Sequence, residues 1–79
     1  MKIVYLLQSL KDVSRYYVGS TDQLTQRVVE HNSGSSIHTA KHRAWRLVVS
    51  IHFEDALKAF EFERYLKSGS GRAFAKRHF

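Results

Sequence analysis

No cysteine occurs anywhere in these 79 residues, and that omission constrains the fold more than any motif does. A chain this short buries only about 60–65% of its unfolded surface. Small domains often make up the deficit with disulfides or structural metals. Here an apolar core has to serve unaided, or a homodimer interface has to add to it. One domain over residues 1–79 is expected, because the length leaves no room for a second. A reducing cytoplasm suits a cysteine-free chain and is the expected compartment. No segment approaches the roughly 18–20 apolar residues of a membrane span. The start, Met1 to Gln8, carries an apolar run that Gln8, Lys11 and Asp12 end too early for a secretion signal. We read it as a buried strand.

The formal charge is +6 and the sequence pI is near 10.0. Such basicity favours polyanionic partners, with nucleic acid ahead of an anionic membrane, although a small domain also carries charge simply to stay soluble. The distribution favours a partner. From Arg64 to Phe79 there are five basic residues and no acidic one, and His38 to Arg46 adds Lys41, Arg43 and Arg46 with no acid. Lys41, Arg43, Arg46, Lys67, Arg72, Lys76 and Arg77 are therefore the expected nucleic-acid contacts.

Along the chain, residues 2–8 form an apolar, β-branched strand pattern. Residues 15–20 form a second, giving an antiparallel hairpin. Thr21 or Asp22 supplies a cap for a helix running to about Asn32, with Leu24, Val28 and Val29 toward the core. A Ser/Gly-rich loop continues to about Arg43. Trp45 to Phe53 makes a third strand. Glu54-Asp55 then opens a second helix to about Lys67, with acid at its positive dipole end. Ser68-Gly69-Ser70-Gly71 breaks that helix before a short last one over residues 72–77. The order ββαβα plus a terminal helix predicts an α+β fold with a three-stranded antiparallel sheet.

Several polar residues stand out against that frame. On the second helix Ala56, Ala59, Phe60 and Leu66 share one arc, with Phe62 at its edge and Glu63 in its middle. A carboxylate among apolar neighbours is paired, protonated or bound to a metal. On the pattern alone a salt bridge explains Glu63 as well as a metal does. Arg27 and His31 lie four apart and project from one helix face. They suit a phosphate, since the guanidinium donates two parallel hydrogen bonds, but they equally suit an exposed basic edge. Tyr5 and Tyr17 lie on strands, where satisfied core tyrosines are common. Tyr16 alternates with Tyr17 and faces the other way, as core or support. His38 and His42 lack a third ligand for zinc. Ser68 to Arg72 follows a helix, not a strand, and does not form a phosphate loop.

Taken in order, the motifs are specific. Ile3-Val4-Tyr5, Tyr17-Val18-Gly19, Leu24-Thr25-Gln26-Arg27 with His31-Asn32, and Glu63-Arg64-Tyr65-Leu66-Lys67 resemble the GIY-YIG nuclease family, and the likeness spans nearly the whole chain. It is similar to the short, single-domain members and to the N-terminal nuclease domain of the repair excinuclease. The resemblance implies a three-stranded antiparallel sheet flanked by helices. It implies that Glu63 holds one divalent metal, Mg²⁺ or Mn²⁺. It also implies that Tyr5 is the general base or orients the attacking water, and that Tyr17 hydrogen-bonds in the same site. Arg27 then neutralises charge on the phosphate and His31 assists proton transfer. The expected activity is metal-dependent hydrolysis or nicking of DNA, branched or damaged DNA included, with low sequence specificity. Two alternatives stand beside it: a nucleic-acid-binding module that does not cut, and a protein-interaction domain.

Overall fold

Four consecutive apolar residues, Val4 to Leu7, are buried on one strand, and a strand reads as an unbroken apolar run only when both of its faces are covered. The computed structural model describes residues 2–79, so Met1 lies outside the described residues. Strand β1 (Lys2–Ser9) lies at the centre of a three-stranded antiparallel sheet, between β2 (Tyr16–Thr21) and β3 (Trp45–Phe53). Helix α1 (Leu24–Ser33) covers one face, and helices α2 (Ala56–Lys67) and α3 (Gly69–His78) cover the other. The expected α+β architecture is thus the observed one. Among the described residues, no helix is long and apolar enough to cross a membrane.

Two cores sit back to back. Val4, Ala59 and Leu66 pack with Val18, Phe53, Phe62 and Phe74 under α2 and α3. Tyr5, Leu7 and Trp45 pack with Tyr17, Leu24 and Val28 under α1. The alternation of β1 side chains deals Val4 and Leu6 to one side and Tyr5 and Leu7 to the other. On β3 the register slips by one residue between the partners of Leu6 (Val49) and Leu7 (Leu47). This bulge lets Phe53 join the first core and Trp45 the second.

Several expectations need correction. Strand β2 starts at Tyr16 and ends at Thr21, one residue later at each end than predicted. Neither Thr21 nor Asp22 caps α1. Gln23 takes that position without a side-chain bond, and the Thr21 hydroxyl accepts from Gln23 N just outside the helix. Val29 is exposed, because Leu24, Val28 and His31 already fill the inner stripe of α1. On α2 the inner stripe is Ala59, Phe62, Glu63 and Leu66, with Phe60 outside under the Arg64 guanidinium. Phe62 is drawn inward by the rings of Phe53 and Phe74. Tyr16 is 55% exposed and so is not core; its hydroxyl accepts from Gln8 Nε2.

The break after α2 is Ser68 alone. Its extended backbone ends α2, and its hydroxyl accepts from Gly71 N to cap α3, which therefore begins at Gly69 rather than Arg72. Gly71 lies so close to the Tyr65 carbonyl that no side chain fits there. Glu54-Asp55 starts α2 as expected, and the Asp55 side chain also caps it, accepting from Leu57 N and Lys58 N.

Candidate active site

Tyr5 on β1 and Tyr17 on β2 project toward α1 because both occupy odd positions of the hairpin, and His31 meets them from the last turn of that helix. The Tyr17 and His31 rings lie 4.8 Å apart, and the Tyr5 ring lies 5.8 Å from His31 and 6.2 Å from Tyr17. The Tyr5 hydroxyl is 2.8 Å from His31 Nε2, and His31 Nδ1 is 2.7 Å from Thr39 Oγ1. Tyr5, His31 and Thr39 are all buried. The imidazole therefore has a partner on each nitrogen and no access to water.

Burial sets the protonation of this group. It lowers the pKa of His31, and the positive charge of Arg27 lowers it further, so the ring is neutral near pH 7. A neutral ring that donates from Nδ1 to Thr39 leaves Nε2 free to accept from Tyr5. Burial raises the pKa of Tyr5 and the neighbouring Tyr17 adds to this, while the Arg27 guanidinium pulls it down. Arg27 lies one helical turn before His31 and pairs with Glu30 at 2.6 Å on a partly exposed edge. The expected common face of Arg27 and His31 is thus split, with His31 inside and Arg27 at the rim.

Gly19 completes the pocket by having no side chain. It pairs with Tyr5 across the hairpin, and a Cβ there would lie 2.5 Å from the Tyr5 hydroxyl and 3.0 Å from the Tyr17 ring. The phenol therefore lies where any other residue would project.

Glu63 comes from the other layer. It approaches the edge strand from α2, where the Ser20 hydroxyl donates to one carboxylate oxygen at 2.7 Å and Lys67 Nζ to the other at 2.8 Å. Burial pushes its pKa up, but the bonds from Lys67 and Ser20 and the charges of Lys67 and Lys2 outweigh it, so the carboxyl is held below its usual range. Its charge still reaches Tyr5 and disfavours the phenolate. Among the described residues no group of three or more His, Asp or Glu forms a metal cage. One ionised, partly buried carboxylate is nonetheless a fitting donor for Mg²⁺ or Mn²⁺, which keep most of their waters and take one or two carboxylates.

The expected nucleic-acid contacts do not form one patch. Lys41, in a 3-10 turn over Ala40–His42, and Arg43 just after it lie on the α1 side, and the Arg43 guanidinium closes over Gly34. Arg46, Lys67, Arg72 and Lys76 line a groove on the opposite sheet face, and Arg77 is exposed outside it. Three residues support the site without having been assigned a role from sequence: Thr39, Ser20 and Asn32, the last of which entered only as part of the His31-Asn32 motif. Asn32 bonds the backbone of Trp45 in both directions, at 2.6 and 3.1 Å. The Trp45 indole in turn donates to the Thr39 carbonyl at 2.9 Å, fixing the loop that carries Thr39. The Ser/Thr-rich loop gives no periodic signal that could have singled out Thr39.

The family model of the GIY-YIG catalytic domain matches residues 1–77. This chain belongs to that family. It is also 34% identical over 82 residues to the structure-specific endonuclease subunit SLX1 of Candida dubliniensis, an alignment that takes in 95% of this chain. The chain spans 27% of that relative's length.

Proposed function

We propose that this protein is an endonuclease that hydrolyses phosphodiester bonds in DNA with the help of one divalent metal. The observation that carries the reading is the buried line Tyr5–His31–Thr39, with Arg27 at its rim. The neutral imidazole gives the buried Tyr5 hydroxyl an acceptor for its proton. Water that attacks phosphorus gives its proton to Tyr5 Oη as the Tyr5 proton moves to His31 Nε2, so no free phenolate accumulates. Thr39 holds the imidazole in the accepting form. Arg27 turns from Glu30 to the phosphate oxygens as negative charge grows on them. Glu63 would hold the Mg²⁺ or Mn²⁺ ion, which when bound would supply positive charge to the reacting phosphate. Because Tyr5 is 1% exposed, the water must be admitted by a moving side chain. Arg27, tied by a single ion pair, is best placed to move.

Broad specificity fits a footprint made of phosphate contacts, whose affinity falls steeply with salt. The relative is named a structure-specific endonuclease subunit, so branched DNA is the first substrate class to try. The closure over Tyr5 favours a second reading, a module of the same fold that binds nucleic acid without cutting. Nicking of supercoiled plasmid in Mg²⁺ or Mn²⁺, compared between wild type and Glu63→Gln, separates the two. Nicking lost in the variant supports the enzyme. Retardation of DNA by both proteins with nicking by neither supports the module.

A further inference from the structure

The sheet face turned away from Tyr5 and His31 carries a groove of about 1010 Å³ that the proposed chemistry does not use. One wall is a row across the three strands. Gln8 pairs with Tyr16 on one side and with Arg46 on the other. The Gln8 amide donates to the Tyr16 hydroxyl at 3.1 Å, and its oxygen accepts from Arg46 Nε at 3.0 Å and Nη2 at 2.6 Å. The row fixes a guanidinium with donors to spare beside a tyrosine that is 55% exposed. The opposite wall is α3, where Arg72, Lys76 and Phe79 recur at helical spacing.

Five cations line this groove, Arg15, Arg46, Lys67, Arg72 and Lys76, and among the described residues no Asp or Glu does. Asp12 pairs with Arg15 and Glu63 with Lys67 from outside the lining. Among the described residues Arg72 and Lys76 pair with no acid. The floor is apolar, with Leu6, Val18, Val48 and Leu66. Cations along both walls, exposed aromatic rings and an apolar floor are what a single nucleic-acid strand requires, because its phosphates need charge and its unpaired bases need flat surfaces. A duplex keeps its base faces stacked on one another, and so leaves the rings without partners.

We propose that this groove binds a single strand of nucleic acid, with Arg46, Arg72 and Lys76 on phosphates and Tyr16 against a base. The proposal rests on the nuclease reading only for its purpose. It provides a second anchorage, on the far side of the sheet, for a strand that leaves the duplex at a branch.

The test is fluorescence anisotropy of a labelled 12-nucleotide oligo(dT) with the full chain in EDTA, where cleavage plays no part. Arg72→Glu with Lys76→Glu should weaken binding about tenfold or more and reduce the salt slope by about 0.7 for each phosphate no longer neutralised. Tyr16→Leu should weaken binding about tenfold with the salt slope unchanged, since only stacking is removed. Both sites are exposed, and unchanged circular dichroism and Tm establish that the variants fold. Wild-type affinity and slope in the charge-reversed variant would overturn the proposal. Tighter competition by a polyglutamate peptide than by unlabelled oligo(dT) of equal charge would also overturn it, assigning the groove to an acidic protein segment. A wild type that binds oligo(dT) in this way but never nicks plasmid would sink the nuclease reading and leave the groove assignment standing.

Discussion

The hydroxyl of Tyr5 and Nε2 of His31 sit 2.8 Å apart with both residues buried, so removing either group strands the other. Tyr5→Phe keeps the ring and leaves Nε2 without a partner, which costs about 1–3 kcal/mol of stability. With Tyr5 as the proposed base, the variant should nick plasmid about a hundredfold or more slowly and bind DNA with unchanged affinity. A rate within twofold of wild type would remove Tyr5 from the chemistry.

The same burial makes stability depend on pH. His31 titrates lower in the folded chain than in the unfolded one, so between those two values the unfolded state binds more protons. The contribution is whole above the unfolded value of about 6.5 and is lost as pH falls through the folded one. The Tm of wild type should therefore drop on acidification below pH 6.5, and His31→Gln should flatten that part of the curve. The two proteins would give parallel curves if the titrating group lay elsewhere.

Thr39 acts through His31. Thr39→Val preserves shape but removes the oxygen beside Nδ1, leaving a buried nitrogen unpaired at about 1–3 kcal/mol. Nitrogen-15 chemical shifts of the imidazole should show the tautomer balance move, and kcat should fall while DNA affinity holds. Thr39→Ser should restore both. Rescue of stability without rescue of the tautomer would make Thr39 a packing residue only.

Gly19→Ala places a methyl group against the Tyr5 hydroxyl and the Tyr17 ring. Overpacking of this kind costs about 1–3 kcal/mol, and here the strain falls on the two phenols. Activity should drop further than the change in Tm alone explains. Gly69, whose side-chain position is open, is the control: Gly69→Ala should leave activity within twofold.

Glu63→Gln tests the metal. Its carboxyl is held ionised by Lys67 and Ser20, and the amide keeps size while losing charge. Metal-dependent nicking should vanish while DNA binding in EDTA persists. Because the folded carboxyl titrates low, its contribution to stability is present at neutral pH and fades only as pH drops below the ordinary carboxylate range. The variant should therefore lose less stability to acid than wild type does, measured by Tm at pH 3 to 5.

Much of the fold was legible because its signals are local. The apolar run of β1, the span of β3 and the acidic start of α2 at Glu54-Asp55 follow from nearest-neighbour chemistry. What failed was decided at a distance. An inner stripe on α2 admits Phe60 or Phe62 at its margin, and only Phe53 and Phe74, from other elements, select Phe62. Ser68-Gly69-Ser70-Gly71 has the composition of a break, yet the Ser68 cap and the close passage of Gly71 under Tyr65 turn most of it into helix. The order of Tyr5, Tyr17, Arg27 and His31 marked the pocket. Thr39 belongs to it only through the hydrogen bonds of Asn32 and Trp45, which no spacing records. The basic residues were countable from sequence, but which face of the sheet each serves depends on the pleat.

Trp45 and Phe53 are eight residues apart, an even separation that an unbroken strand would resolve onto one face. The one-residue slip in β3 means that the strand is read in two frames, one for each core. Val48 is the surplus residue: deleting it would set Leu47 and Val49 side by side opposite Leu7 and Leu6, and an unbroken strand would then deliver Trp45 and Phe53 to their opposite faces with every pairing kept. The strand thus tolerates a loss of length at this one position: Val48→Ala and the Val48 deletion should both fold, whereas a residue inserted beside Val48 finds no partner on β1 and should lower Tm.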